Sequence, residues 1–163
     1  MPKKKSARGT SRAGVALATR TRAKKSAKKA APAAQLKYIP WSTVELENLN
    51  PLLQRQLVVG QNVMVARVLM KKGCVIPLHS HHNEQVTYIL EGALKFWIDG
   101  KEIVVNQGEV LAIPPHMPHK AEALSDTLDL DIFNPPRADW INKTDQYLRD
   151  EESKNADKHH RVG

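Results

Sequence analysis

Apolar and polar residues alternate in short bursts along most of this chain, and glycine, proline or asparagine separates the bursts. From Gln61 to Met70 the text reads QNVMVARVLM, rich in β-branched residues and bounded by Gly60 and by Lys72-Gly73. Such a run predicts a strand. Further strands are predicted over Val86–Leu90, Leu94–Ile98, Lys101–Val105, Glu109–Ile113, His119–Leu124 and Thr127–Phe133. Asp99-Gly100, between two of them, is a strong hairpin signal, because a type I′ turn needs positive φ at both central positions. With the segment around His79 this makes about eight short strands at spacings of roughly 8–12 residues, the pattern of an all-β sandwich or barrel. No amphipathic helix is expected before the C-terminus. There, Ala138–Asp150 predicts a short helical or turn segment that packs Trp140, Ile141, Tyr147 and Leu148 on the outside. Leu36–Leu53, with Pro40, Trp41 and Pro51, reads as an extended arm or short helical turn against the barrel.

Charge divides the 163 residues into parts that need separate explanations. The net charge is +8, but residues 1–34 alone carry 11 Lys and Arg and no acid. The remaining residues carry 14 basic and 17 acidic side chains, a balance of −3. We therefore expect a disordered Lys/Arg/Ala-rich tail over residues 1–35, a folded domain over 36–150 and a flexible polar C-terminus over 151–163. The run AKKSAKKAAPAA from Ala23 to Ala34 resembles the Lys/Ala/Pro-rich tails of bacterial histone-like proteins. It would contact nucleic acid non-specifically through counterion release. A purely solubilising extension explains it equally simply, and the absence of aromatics argues against base stacking. His159 and His160 lie in the polar C-terminus, where no preorganised metal site is expected.

Composition also excludes several classes. The single cysteine, Cys74, rules out an intramolecular disulfide and a multi-cysteine zinc cluster. No apolar stretch approaches the roughly 20 residues of a membrane-spanning helix. The N-terminus, with Lys3, Lys4 and Lys5, lacks the apolar run of a secretory signal, so a cytoplasmic protein without a membrane partner is expected.

Five of the seven histidines lie between positions 79 and 119. His79 and His81 are two apart, so on a strand they share a face. Gln85 has the same parity, and His119 follows the proline-rich turn Pro114-Pro115-His116-Met117-Pro118. Imidazole nitrogens suit Zn, Fe, Ni and Mn, and three histidines leave room for water or substrate. Two exposed histidines on a surface strand are the bland alternative. Glu84 and His82 are out of phase with His79 and His81, so Gln85 is the preferred fourth ligand and His82 a rim residue.

Taken together, Gly73-x5-His79-x-His81-x3-Gln85-x6-Gly92 and Gly108-x5-Pro114-x-His116-x2-His119 resemble the two motifs of the cupins. The resemblance covers about residues 57–137 and implies a cupin fold, a double-stranded β-helix or jelly-roll barrel, holding a divalent transition metal on His79, His81, Gln85 and His119. Three departures stand out. Gln85 replaces the usual glutamate, His116 the frequent glycine, and Ala123 the asparagine that closes the second motif. A shell of three histidines and a glutamine is neutral, so a divalent ion would keep its full charge toward substrate and favour Lewis-acid chemistry. Small cupins often pair, which implies a homodimer, with Tyr38–Trp41 as a candidate exchanged arm.

The stretch TLDLDIFNPPRADW from Thr127 to Trp140 places Asp129, Asp131 and Phe133 on one face. A solvent-facing strand would explain two carboxylates equally well. However, Asp131-x-Phe133-x3-Arg137 is similar to the small cupins of the KdgF type, which act on unsaturated uronates and use a glutamine among their ligands. That resemblance implies an active site containing Asp131, Phe133 and Arg137, with Arg137 as a bidentate clamp on a small carboxylated substrate and Asp131 as a proton shuttle. The expected function is a metal-dependent isomerase taking the ring form of an unsaturated uronate to the linear keto form. Two other functions fit the same residues: a dioxygenase using Fe and O2, and a non-enzymatic metal- or ligand-binding cupin tethered to nucleic acid by its tail.

Overall fold

The alternation closes into two antiparallel sheets. The computed structural model describes residues 35–149, so the expectations for residues 1–34 and 150–163 lie outside the described residues. A 3₁₀ turn at Trp41–Thr43 precedes ten strands: β1 (Glu47–Asn50), β2 (Leu53–Val59), β3 (Met64–Met70), β4 (Val75–His79), β5 (Glu84–Glu91), β6 (Ala93–Ile98), β7 (Lys101–Asn106), β8 (Val110–Ile113), β9 (His119–Ala123) and β10 (Thr127–Asn134). Two short helices follow, α1 (Ala138–Ile141) and α2 (Gln146–Arg149). The strands order as β1-β2-β3-β10-β5-β8 in one sheet and β4-β9-β6-β7 in the other. This is the jelly-roll barrel of the cupins.

Every second residue of β3, from Met64 through Ala66 and Val68 to Met70, is buried. Ile89, Leu94, Phe96, Ile98 and Ile113 complete an apolar core between the sheets. The β6–β7 hairpin turns at Asp99 and Gly100, with φ of 51° and 69°, as a type I′ turn requires. β10 breaks the apolar rule: Asp129, Asp131 and Phe133 alternate inward and all are buried. The solvent-facing explanation of the two carboxylates is therefore incorrect. Inward carboxylates in a barrel need either partners or a function.

Three parts of the fold differ from the pattern-based reading. β1 and most of β2 were hidden because β1 is four residues long with Leu49 as its buried position, and β2 places polar side chains inside: Arg55 is completely buried. Its Nε donates to Glu47 Oε2 at 2.9 Å and its Nη1 to Asp145 Oδ2 at 2.6 Å. Arg149 bonds the same two acids, at 2.7 Å to Glu47 and 3.0 Å to Asp145, so α2 is fastened to β1 and β2. Second, β3 begins only at Met64, because Gly60 N–H donates to Val63 O and closes a turn over the residues between. Third, Trp140 and Leu148 are buried in the core rather than packed outside, and of the four only Ile141 is exposed. The C-terminal segment covers apolar surface that the sheets leave open.

The arm residues Leu36 and Tyr38 are 100% and 91% exposed. Among the described residues no helix is long and apolar enough to cross a membrane.

Candidate metal centre

Cross-strand register brings the histidines together. His79, the last residue of β4, pairs directly with His119, the first of β9. Their ring centroids are 4.3 Å apart. His81 is not on a strand; it sits in the connection between β4 and β5, with its ring 5.7 Å from His79 and 5.3 Å from His119. The three offer ligand atoms that all lie within 4.8 Å of one another. Gln85 comes from the facing sheet, where it pairs with Phe133 on β10. Glu84 and His82 are exposed, whereas Gln85 is buried.

The backbone fixes which nitrogen of each ring is available. Nδ1 of His79, His81 and His119 lies 2.8, 2.9 and 2.8 Å from the carbonyl oxygens of Pro77, Asn83 and Met117. A carbonyl only accepts, so each Nδ1 carries the hydrogen and each Nε2 carries a lone pair. This is how metal-binding histidines are generally oriented. Burial, followed by the neighbouring His119, holds His79 down at about 3; burial, followed by Arg137, holds His81 at about 4. Burial also lowers His119. All three rings are neutral at physiological pH, the form that binds a cation.

Two observations test whether these residues fit a metal. Nε2 of His119 is buried and has no hydrogen-bond partner. His81 Nε2 faces Gln85 Oε1 at 3.1 Å, although the tautomer leaves no proton to lie between them. Two facing acceptors repel unless a cation joins them, and roughly 3 Å is the separation of adjacent ligands on bonds of about 2.1 Å. The donor set fits a divalent ion. At a hundredfold excess over Kd, Ni, Zn, Fe or Mn is expected to stabilise the metal-free protein by about 2.7 kcal/mol. That is a rise in Tm of about 10 °C for a domain of this size. His119→Ala should abolish the rise; no shift with any of the four ions would remove the site.

The amide of Gln85 also reaches inward. Its Nε2 donates to Thr87 Oγ1 and to Asp131 Oδ1, both at 2.9 Å, and the Thr87 hydroxyl donates to the same Asp131 oxygen. Despite these bonds, burial raises Asp131 to about 6. Phe133 packs edge-on to His81 at 5.7 Å and to Trp140 at 5.0 Å. Arg137 is buried beside them, its guanidinium 5.3 Å from the Phe133 ring. Its Nε and Nη2 already hold Asp139, at 2.9 and 2.6 Å, and Nη2 also donates to the Tyr147 hydroxyl at 3.0 Å. The edge that would clamp a carboxylate in two bonds is occupied; Nη1 is the donor without a partner.

Sequence reasoning missed Thr87, Arg55 and the inward role of Tyr147, whose ring stacks on His79 at 4.9 Å. Thr87 alone carried a usable signal, since it shares the inward parity of Gln85.

His116 explains one departure from the cupin motifs. Its φ is +65°, and its N–H donates to His81 O at 2.7 Å. The backbone there is left-handed, which costs an L-residue roughly 1–2 kcal/mol and suits glycine. Because the His116 side chain is exposed, His116→Gly is expected to raise stability by about 0.5–1 kcal/mol in urea titration, the gain being reduced by glycine's freedom when unfolded. A loss of stability would mean that the imidazole makes a contact of its own.

Comparisons with known proteins agree with this geometry. The cupin domain pattern matches residues 66–134. An uncharacterised protein of Methanocaldococcus jannaschii is 31% identical over 84 residues, which span 51% of this chain and 67% of that protein. The crystal structure of an RmlC-like cupin from Shewanella frigidimarina superposes with a TM-score of 0.61 at 27% identity, covering 65% of this chain and 96% of the other. KdgF from Halomonas sp. gives 0.61 at 26% identity, covering 65% and 99%. With its jelly-roll sheets, its two histidine-bearing motifs and these relatives, the chain belongs to the cupin family and resembles KdgF within it.

Proposed function

We propose that this protein is a metal-dependent isomerase that converts the ring form of an unsaturated uronate, or a similar small carboxylated sugar, into its linear keto form. One observation carries the reading. The Gln85 amide turns its oxygen to the histidine cluster and its nitrogen to Asp131, so the candidate metal ligand and the candidate proton shuttle are joined through a single side chain. The similarity to KdgF supports the substrate class.

A divalent ion on His79, His81, His119 and Gln85 would supply Lewis acidity toward a substrate oxygen. The protein's own groups do the rest. Asp131, raised to about 6, is poised to take the anomeric hydroxyl proton as the ring carbon–oxygen bond breaks. The released ring oxygen stays on the alkene as an enolate, and returning the same proton to the other alkene carbon gives the ketone, so no co-reactant is consumed. Arg137 offers Nη1 to the substrate carboxylate, while Asp139 and Tyr147 hold its other edge. Phe133, buried and edge-on to His81, keeps water from the reacting face.

The test is an anaerobic assay of the metal-loaded protein with unsaturated uronates released by a polysaccharide lyase. Loss of the ring-form alkene absorbance should proceed equally with and without oxygen. Turnover only in air, with oxygen consumed, would instead establish a dioxygenase. No turnover in either condition would leave a binding protein.

A further inference from the structure

Among the described residues, four buried polar atoms have no hydrogen-bond partner: Arg55 Nη2, His119 Nε2, Asp129 Oδ1 and Arg137 Nη1. All four residues line one cavity of about 40 Å³ inside the barrel. Unsatisfied buried groups are few in native proteins and each calls for an explanation. Four around one space outline the polar complement of a ligand. His119 is explained by the candidate metal centre, and Arg137 by the proposed carboxylate contact. Arg55 Nη2 and Asp129 Oδ1 are explained by neither, though the rest of the Arg55 guanidinium pairs with Glu47 and Asp145.

Asp129 lies in the middle of β10, between Val68 on β3 and Ile89 on β5, and is 3% exposed. Val68, Met70, Leu94 and Phe96 line the same cavity. The two guanidinium groups on that cavity are already paired, Arg55 with Glu47 and Asp145, and Arg137 with Asp139. Burial, and then the adjacent Asp131, push the Asp129 carboxyl well above the usual carboxylate range, which favours its neutral form. A neutral acid has one O–H to donate and one oxygen to accept with. Leucine has the same branched shape and would satisfy the core without an unmet polar group, so the fold alone gives no reason for an aspartate.

We propose that Asp129 is a ligand-binding residue whose carboxylic acid hydrogen-bonds a hydroxyl or carbonyl oxygen of a 2-hydroxy or 2-keto acid seated in this cavity. The size of the cavity sets the position of that oxygen. About 40 Å³ holds roughly three waters, room for a carboxylate and the adjoining carbon with its substituent. The oxygen recognised beside the carboxylate is therefore on the neighbouring carbon. This inference rests on the carboxylated-substrate reading and deepens it: in a linearised unsaturated uronate, the new ketone stands on the carbon that bears the carboxylate.

The experiment compares the full-length, metal-loaded wild type with Asp129→Leu and Asp129→Asn, using glycolate and acetate as probes that differ only by the 2-hydroxyl. Wild type should bind glycolate about tenfold more tightly than acetate. Asp129→Leu should erase that preference, retain its metal and melt several degrees higher, a gain that a residue needed for folding would not show. Asp129→Asn, which keeps a donor, should retain most of the preference, and Asp129→Ala, which should lose it, decides the matter if the leucine variant does not fold. Equal binding of the two probes by wild type, an intact preference in either Asp129→Leu or a folded Asp129→Ala, or a lower Tm in Asp129→Leu would overturn the proposal. Wild-type turnover of unsaturated uronates is followed separately. Its absence would sink the isomerase reading alone, because the glycolate preference still judges Asp129.

Discussion

Asp131→Asn is expected to lower kcat/KM on unsaturated uronates by 10²- to 10⁴-fold, the usual contribution of a positioned proton-transfer group. The substitution is nearly isosteric. The amide oxygen of asparagine can still accept from Thr87 and from Gln85, both of which donate to Asp131 Oδ1. What is lost is the ability to carry a proton. The variant also replaces a buried carboxyl, which burial pushes up to about 6, with a neutral amide, so Tm should hold or rise. Metal content should be unchanged, because the histidines keep their carbonyl partners. Asp131→Ala serves as contrast: it leaves two donors unmet and should cost about 1–3 kcal/mol of stability as well as activity. More than a tenth of wild-type turnover in Asp131→Asn would exclude the shuttle.

Gly92→Ala is expected to destabilise the domain by about 3 kcal/mol or more, and to lower Tm by over 10 °C. Two penalties coincide there. The φ of +83° is unfavourable for any L-residue, at roughly 1–2 kcal/mol. A Cβ would also sit 2.4 Å from the backbone oxygen of Asp126, 2.6 Å from Thr127 Oγ1 and 2.9 Å from Thr127 Cα. Backbone cannot step aside as a flexible side chain can, and Thr127 Oγ1 is held by Ala93 and Ser125. Gly108 provides the control, since its φ is +84° but nothing lies within 4 Å of its Cβ position. Gly108→Ala should therefore show the conformational penalty alone, about 1 kcal/mol. Equal losses for the two variants in thermal or urea denaturation would show that the close approach at Gly92 does not matter.

These cases also show what was legible in the chain. The barrel was, because apolar alternation over β3, β6 and β10 and the Asp99-Gly100 turn are local signals read without knowing the fold. Spacing brought His79, His81 and Gln85 under one motif and His119 under the second, and the structure clusters the three rings with Gln85 Oε1 3.1 Å from His81 Nε2. His81 arrived there by a different route from the expected one, from a loop rather than from a strand. β2 escaped because its buried positions include Arg55 and Gln56, held by Asp145 and Val44 from elsewhere in the chain. The occupied edge of Arg137 was equally invisible, since it depends on how α1 folds back to present Asp139. Patterns along a strand report that faces alternate; on β10 they did not report that the carboxylate-bearing face is inside, nor do they report which buried charges have found each other.

The segment from Pro135 to Arg149 contributes Arg137, Trp140, Tyr147 and Leu148 to the cavity wall while lying outside the ten-stranded frame. The candidate metal ligands and this part of the chamber wall thus reside on separately mutable stretches of the gene. A lineage could keep every histidine and retune what it accepts by drift in fifteen codons, provided that Asp145 and Arg149 continue to anchor the segment to Arg55 and Glu47. Cupins that share these histidines but differ after the last strand are accordingly the natural place to look for a change of substrate, and exchanging that segment between two of them is a compact way to engineer one.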